Sequence, residues 1–338
     1  MVNQISIIIM CFFFASCGVR EEGSALKADL IAITYNLLHP NVDVYPTMAV
    51  SDRADQQVDF FLNTTQNAPA VAIFSQENYP QFDQGMGQHF QRVEMPANGG
   101  RTYTKMYVDK NSSVKSSEFV PFDNQGGVFE RVLRKTGSHV VRVNDVDGKE
   151  RIFINTHLPS LSTSREARSM AQTQILNQVE ALRRDNPDAD IVVGGDFNVA
   201  TKDLRNRFKA IGGLSMNDDA NTWSNRNPIH SEDQSVEEAG RIDDLFVVPS
   251  NSSTKVTGGA VDNSQQKISD HNPVIMNVPD LSAADSRESG HITQNSNLDQ
   301  PVSEQKVELD SLPEPITGLD IGPVITQMSS QTTIQKDQ

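Results

Sequence analysis

Short apolar runs recur between residues 29 and 279, most of them rich in β-branched residues and closed by Gly, Pro, Asn or Asp. That pattern predicts strands at Leu30–Asn36, Ala70–Ser75, Val128–Lys135, His139–Asn144, Arg151–His157, Ile191–Gly194, Leu245–Val248 and Val274–Val278. Two stretches carry helical spacing instead. Asp52–Leu62 follows Ser51, a residue type suited to an N-cap. Ser164–Arg184 opens with Thr163 three positions before Glu166, the spacing of a capping box. Within it Ala167, Ala171, Ile175, Val179 and Leu182 form one apolar stripe, which predicts packing on a sheet. Many strands with few long helices predict an α/β fold of two packed sheets flanked by helices.

The ends of the chain break this pattern. Ile5–Phe14 (ISIIIMCFFF) is apolar but too short to span a bilayer, which takes about 20 residues. It reads as the core of a secretory signal. Phe14-Ala15-Ser16-Cys17-Gly18 then resembles the lipobox of bacterial lipoproteins, in which the cysteine is acylated. The expected organisation is a signal peptide over 1–17, a polar tether over 18–28, one main domain over 29–279 and an acidic tail over 280–338. Cys17 is the expected lipidation site, so the protein is expected to be exported and held at a membrane by a lipid anchor. Plain secretion or release to the periplasm is the second reading. The tail contains no Phe, Trp or Tyr and is expected to be disordered.

Composition then narrows the function. The 338 residues include 29 Lys+Arg and 44 Asp+Glu, a net charge of −15. A broad basic face coating nucleic acid is excluded, but an enzyme holding one phosphate through a metal is not. About half of the charge lies in the tail, which has ten acidic residues against three basic ones. The only cysteines, Cys11 and Cys17, fall in the signal segment, which excludes a disulfide scaffold or a cysteine-rich zinc site. A mean hydropathy of −0.44 excludes a multi-span membrane protein.

Polar residues collect where the apolar runs stop. Asn36 closes the first, Gln76-Glu77 the second and Asn155-Thr156-His157-Leu158 another. Gly194-Gly195-Asp196-Phe197-Asn198 closes the run after the long helix. Arg241-Ile242-Asp243 opens a later strand, and Ser269-Asp270-His271 precedes the last. Each has an ordinary explanation alone, as a turn, a cap or a satisfied buried histidine. Together, gathered along one sheet edge, they would line a cleft.

The ordered set TYN, QE, NTHL, GGDFN, RID and SDHNPV resembles the endonuclease/exonuclease/phosphatase superfamily over about residues 29–279. The resemblance implies a deoxyribonuclease-like four-layered α/β sandwich with two central, mostly antiparallel sheets flanked by helices. It implies Glu77, Asn36 and Asp270 as ligands of a divalent metal, Mg²⁺ or Mn²⁺. It implies His271 as general base, oriented by Asp243. Asp196 and Asn198 would position water or the leaving group and bind phosphate, and His157 would stabilise the charge of the transition state. Asp244 follows the RID motif where the family often has an aromatic residue, which predicts an extra acidic group near the site. Residues 98–122 are polar and stand where the family often carries substrate-binding loops. Trp223 is expected to pack in the core.

These features predict an exported, metal-dependent phosphoesterase acting as a monomer on a phosphate-ester substrate, with a nuclease slightly favoured. Arg92, Arg101, Lys105, Lys110 and Lys115 would form either a local basic rim or, the slightly favoured reading, scattered solvated charges. A phosphoesterase acting on lipid headgroups or inositol phosphates is the alternative, with Phe119-Val120-Pro121-Phe122 as a weak membrane-entering segment. A surface interaction protein without catalysis is the third reading.

Overall fold

The apolar runs become the central strands of two six-stranded sheets in the computed structural model. It describes residues 28–38, 48–97, 104–123, 136–146, 148–159, 165–216, 220–224, 239–250, 255–261 and 268–279. Numbering elements in chain order, the first sheet runs β13 (Thr257–Ala260), β14 (Val274–Pro279), β1 (Ala28–Asn36), β2 (Ala70–Gln76), β4 (Lys105–Val108) and β3 (Gln91–Val93). The second runs β5 (Ser113–Pro121), β6 (Gly137–Asn144), β7 (Glu150–His157), β8 (Asp190–Asp196), β12 (Asp243–Val248) and β9 (Leu214–Ser215). In these two sheets the parallel pairs are β1–β2 and β7–β8. A small ribbon pairs β10 (Trp223–Ser224) with β11 (Ala239–Gly240). The described helices are α1 (Val50–Thr65), α2 (Pro80–His89), α3 (Arg165–Asp185) and α4 (Lys202–Ala210).

Strand periodicity explains the layering. Side chains alternate faces along a strand, so a run that is apolar at every position is buried on both faces. β2 and β8 are buried at all seven positions. Ala32, Phe74 and Met276 of the first sheet meet Phe153, Val192 and Leu245 of the second in a core between the sheets. Ile33, Tyr35 and Ile73 point the other way, onto Ala54, Val58 and Phe61 of α1 and Phe82 of α2. Ile154, Val193 and Phe246 likewise meet Ala171, Ile175 and Val179 of α3 and Phe208 of α4. The result is a four-layered α/β sandwich.

The predicted strands within the described residues all form, with ends shifted by a residue or two. Val128–Lys135, Thr163, Ser164, Arg101, residues 1–27 with Cys17, and the tail lie outside the described residues. Ser51 does not cap α1: the helix starts at Val50 after Ala49, and Ser51 Oγ instead reaches Asp52 Oδ1 at 3.3 Å. The stretch 98–122 is no simple loop, since it contains β4 and β5. Phe119 and Phe122 are buried, so they offer no membrane-entering surface. α2 went unpredicted because Gly85 and Gly87 lower its helix propensity. Gly85 lets α2 approach α1 closely, as a Cβ would come within 2.9 Å of Val58 Cγ2 and force a small shift. Pro80 at its first turn was the signal to use.

One buried group makes the fold sensitive to acid. His139 of β6 is fully buried and lies 2.8 Å from Ser117 Oγ through Nε2. Ser117 spends its proton on Glu94 O, so the His139 Nε2–H donates to Ser117 and Nδ1 has no hydrogen-bond partner. Burial lowers its pKa from the ordinary 6.5 to about 4. A folded-state pKa below the unfolded value means that the contribution is whole above pH 6.5 and is lost as pH falls toward 4. The linkage amounts to about 3 kcal/mol. Urea unfolding of wild type and His139→Gln between pH 7.5 and 4.5 should show a steeper loss for wild type. Parallel curves would show that His139 contributes none of the slope.

Candidate active site

Strand parity carries the polar residues to one place. Asn36 continues the face of Ala32, Asp196 that of Val192, Asp243 that of Leu245 and His157 that of Phe153, all of which point between the sheets. Register then aligns them. Asn36 pairs with Gln76 across β1–β2, His157 with Asp196 across β7–β8, and Asp196 with Asp243 across β8–β12. Gln76 Nε2 donates to Asn155 Oδ1 at 2.8 Å, joining the two sheets beneath the site. Gly194 and Gly195 are needed here. A Cβ on Gly194 would meet Leu245 at 2.7 Å, and one on Gly195 would lie 2.0 Å from Thr156 O.

At the centre, His271 Nδ1 and Asp243 Oδ2 are 2.7 Å apart. The other ring nitrogen, Nε2, faces Asn36 Nδ2 at 3.4 Å and Asp196 and Asp270 carboxylate oxygens at 4.0 Å each. Asn36 Nδ2 donates to Asp196 Oδ2 at 3.0 Å, while its Oδ1 accepts the Leu38 N–H at 3.2 Å. His157 lies between Glu77 and Asp196, with one ring nitrogen 3.5 Å from an oxygen of each. Asn198 N–H donates to Asp196 Oδ1 at 2.8 Å, and its side-chain amide donates to Leu158 O at 3.0 Å. The structure thus brings Asn36, Glu77, His157, Asp196, Asn198, Asp243, Asp270 and His271 into one chain of contacts.

Backbone strain collects at the same edge. Leu38, Glu77 and Asn198 have φ values of 60°, 53° and 49°, the left-handed region that side-chain-bearing residues avoid. They are the non-glycine residues found there among the described residues. Such conformations persist where the surroundings over-determine them, as at functional sites.

The electrostatics are dominated by carboxylates. Burial raises the Asp196 pKa, and the Asp243 charge adds to this, to about 7, against the opposing effects of His271, the Asn198 N–H and Asn36. Burial acts to lower the His271 pKa, but Asp243, Asp270 and Asp196 outweigh it and push it up to about 10. Four carboxylates, those of Glu77, Asp196, Asp243 and Asp270, surround two imidazoles. This oxygen-rich donor set fits a hard divalent cation. One ligand atom from each of Asp196, Asp243 and His271 lies within 4.8 Å of the others. That trio shares no member with the expected set Glu77, Asn36 and Asp270, and its Asp243–His271 contact already engages Nδ1 and one carboxylate oxygen.

Several residues differ from expectation. Asp244 adds no acidic group to the site. The residue after Asp243 must face the opposite side of β12, and there Asp244 is fully buried between Arg205 Nε at 2.7 Å and Arg241 at 2.9 Å. Trp223 is half-buried rather than fully in the core, and its backbone bridges His271. Arg92 and Lys105 make no open rim, since both contact Asp83 Oδ2 at 2.7 Å. Lys110 reaches Gln88 O at 2.5 Å, and Lys115 is exposed. Two supporting residues went unassigned. Ser269 Oγ donates to Asn36 O at 2.6 Å and accepts the His271 N–H at 3.1 Å. Thr222 Oγ1 accepts the N–H groups of Ile242 and Asp243 at 3.0 and 2.9 Å. Their positions beside recognised motifs were the available signal.

Comparison with known proteins agrees with this construction. No curated protein matches the chain. Among solved structures, TDP2 from C. elegans is similar at 17% identity and a TM-score of 0.56, over 75% of this chain and 76% of that one. D. rerio TDP2 complexed with a single-strand DNA product is similar at 17% identity and 0.56, over 74% and 98%. Beta toxin from Staphylococcus aureus is similar at 15% identity and 0.57, over 73% and 99%. At such identities the likeness is one of fold. The sequence profile described as "Endonuclease/Exonuclease/phosphatase family" matches residues 33–271. That span runs from the first strand to His271 and takes in every strand end that lines the cleft, so the chain belongs to the endonuclease/exonuclease/phosphatase family of metal-dependent phosphoesterases.

Proposed function

We propose that this protein is an exported phosphodiesterase that uses a divalent cation and His271-activated water, with nucleic acid as the favoured substrate. The observation that carries the reading is the His271–Asp243 contact of 2.7 Å, which leaves Nε2 facing Asp196 and Asn36. Asp243, Asp270 and Asp196 hold the imidazole protonated. A divalent cation that offset the Asp270 and Asp196 charge would let Nε2 give up its proton. With Nδ1–H donated to Asp243, Nε2 would then take a proton from water while Asp243 stabilises the imidazolium that results. Asp196 accepts from Asn36 and the Asn198 N–H, which fixes its carboxylate to orient water or the leaving oxygen. His157, steadied between Glu77 and Asp196, donates to a phosphoryl oxygen as charge builds. Glu77, Asp270 and the remaining lone pair of Asn36 Oδ1 would hold the cation. A bound Mg²⁺ or Mn²⁺ would supply Lewis-acid stabilisation of the negative charge that builds on the phosphate. The chain acts as a monomer, delivered by the 1–17 signal and anchored through Cys17; the mass of the mature protein tests that anchor.

Nucleic acid is favoured by analogy with the similarly folded D. rerio TDP2, which is described with a single-strand DNA product. Likeness to beta toxin keeps a lipid or small phosphoester as the second substrate class. Among the described residues, however, the exposed large apolar side chains are Val146 and Met170, one in the β6–β7 turn and one on α3. The β6–β7 turn lies at the strand ends opposite the site, so Val146 offers no membrane-entry surface beside it. Purified protein should be assayed on plasmid DNA, single-stranded DNA, RNA, sphingomyelin, inositol phosphates and bis-p-nitrophenyl phosphate. Cleavage of a nucleic acid that EDTA abolishes and Mg²⁺ or Mn²⁺ restores is the expected result. Turnover indifferent to EDTA would defeat the mechanism, and exclusive lipid turnover would replace the substrate.

A further inference from the structure

Gln57 sits on α1, outside the strands, and is not one of the residues of the site described above. The helix face around it is apolar, with Ala54, Val58 and Phe61 packed onto the first sheet. Yet Gln57 is fully buried among them. A buried amide is tolerated only when its hydrogen-bonding groups are used, and here they are. Nε2 donates to Leu37 O at 3.0 Å and to Ile268 O at 2.7 Å, and Oε1 accepts the Tyr79 hydroxyl at 2.7 Å. Two carbonyl oxygens can only accept, so the amide orientation is dictated by its partners.

The addresses of these contacts are what matter. Leu37 follows Asn36, Tyr79 is two residues after Glu77, and Ile268 is two residues before Asp270. One amide therefore grips three loops that are distant in sequence, and each loop carries one proposed metal ligand. We infer that Gln57 is the positioning residue that sets the mutual spacing of Asn36, Glu77 and Asp270, and through it the affinity of the chain for its divalent cation. The inference rests on the metal assignment made under Proposed function. Groups that orient metal ligands commonly alter affinity about 10–100-fold when removed.

The test is Mn²⁺ binding to the full chain, followed by electron paramagnetic resonance, with thermal unfolding in parallel. Gln57→Met keeps the length and apolar bulk of the side chain and removes all three hydrogen bonds. It should bind Mn²⁺ about 10–100-fold more weakly. Its kcat at saturating Mn²⁺ should return to about a third of wild type or better, because the proton-transfer groups are untouched. Tyr79→Phe removes the contact to Oε1, together with the hydroxyl's interaction with Arg53, while leaving both Nε2 bonds, and decides the matter if Gln57→Met does not fold; a weakening of about threefold or more is expected. A folded Gln57→Met, or Tyr79→Phe in its place, with unchanged Mn²⁺ affinity overturns the inference. Glu77→Gln, run alongside, separates the two ideas. If it binds Mn²⁺ like wild type, the metal assignment falls and Gln57 with it. If it loses binding while Gln57→Met does not, only the role of Gln57 falls.

Discussion

Asp243→Asn is expected to lower kcat about 10³–10⁴-fold while the protein remains folded. The carboxylate accepts from His271 Nδ1 at 2.7 Å, which fixes a proton on that nitrogen and makes Nε2 the atom that would act as the base once a cation offset the charge of Asp270 and Asp196. An asparagine amide turned toward Nδ1 would donate instead. The ring proton would then move to Nε2, the atom that must accept from water. The fold has little reason to suffer. The backbone of residue 243 is held by Thr222 Oγ1 and by the ladder to β8, neither of which involves its side chain. Removing the charge also relieves Asp196, whose pKa is raised by burial and then by Asp243. The same change withdraws the largest charge supporting the His271 imidazolium, so the two effects oppose and the unfolding midpoint should shift modestly with the protein still folded. Single-turnover kinetics on the substrate identified by the panel would measure the loss. Because the two residues act as a unit, Asp243→Asn combined with His271→Ala should be no slower than the slower single variant. A kcat within tenfold of wild type for Asp243→Asn would show that Asp243 does not orient the base.

The layers and the site were legible for the same reason. A run such as Ile191–Gly194 is apolar at nearly every position, so its burial on both faces and its place inside a sheet follow from composition alone. The polar residues that end these runs then inherit the face of the residues two and four positions earlier. Alternation also contained an answer that motif position obscured. Asp243 and Asp244 cannot face the same side of β12, and Asp244 accordingly leaves the cleft for Arg205 and Arg241. What no local pattern encodes is the partner of a buried polar group. Gln57 looks like one polar residue among several on α1, and its hydrogen bonds to residues 37, 79 and 268 exist only once three loops converge. Helix α2 was hidden by two glycines, and the close approach of one of them, Gly85, to Val58 belongs to tertiary packing.

Gly195→Ala should be strongly destabilising, although it adds a single methyl group. Gly195 stands opposite Thr156 in the parallel β7–β8 pair, one step before His157 opposite Asp196. A Cβ there would lie 2.0 Å from Thr156 O and 2.8 Å from Thr156 Cγ2. The backbone carbonyl cannot swing aside as the end of a flexible side chain could, so β7 and β8 must separate where His157 meets Asp196. Overpacking of this kind costs about 3 kcal/mol or more. For a domain of this size that corresponds to a fall of roughly 6–12 °C in Tm. Gly87→Ala is the matched control. It lies in α2 with no atom within 4 Å of the added methyl, so helix propensity alone should act, raising stability by about 0.5–1 kcal/mol. Opposite signs from the same chemical change would separate steric exclusion at the strand pair from general intolerance to alanine. If Gly195→Ala melts within 2 °C of wild type, the two strands have room to adjust, and the glycine pair before Asp196 is not needed to hold the catalytic edge together.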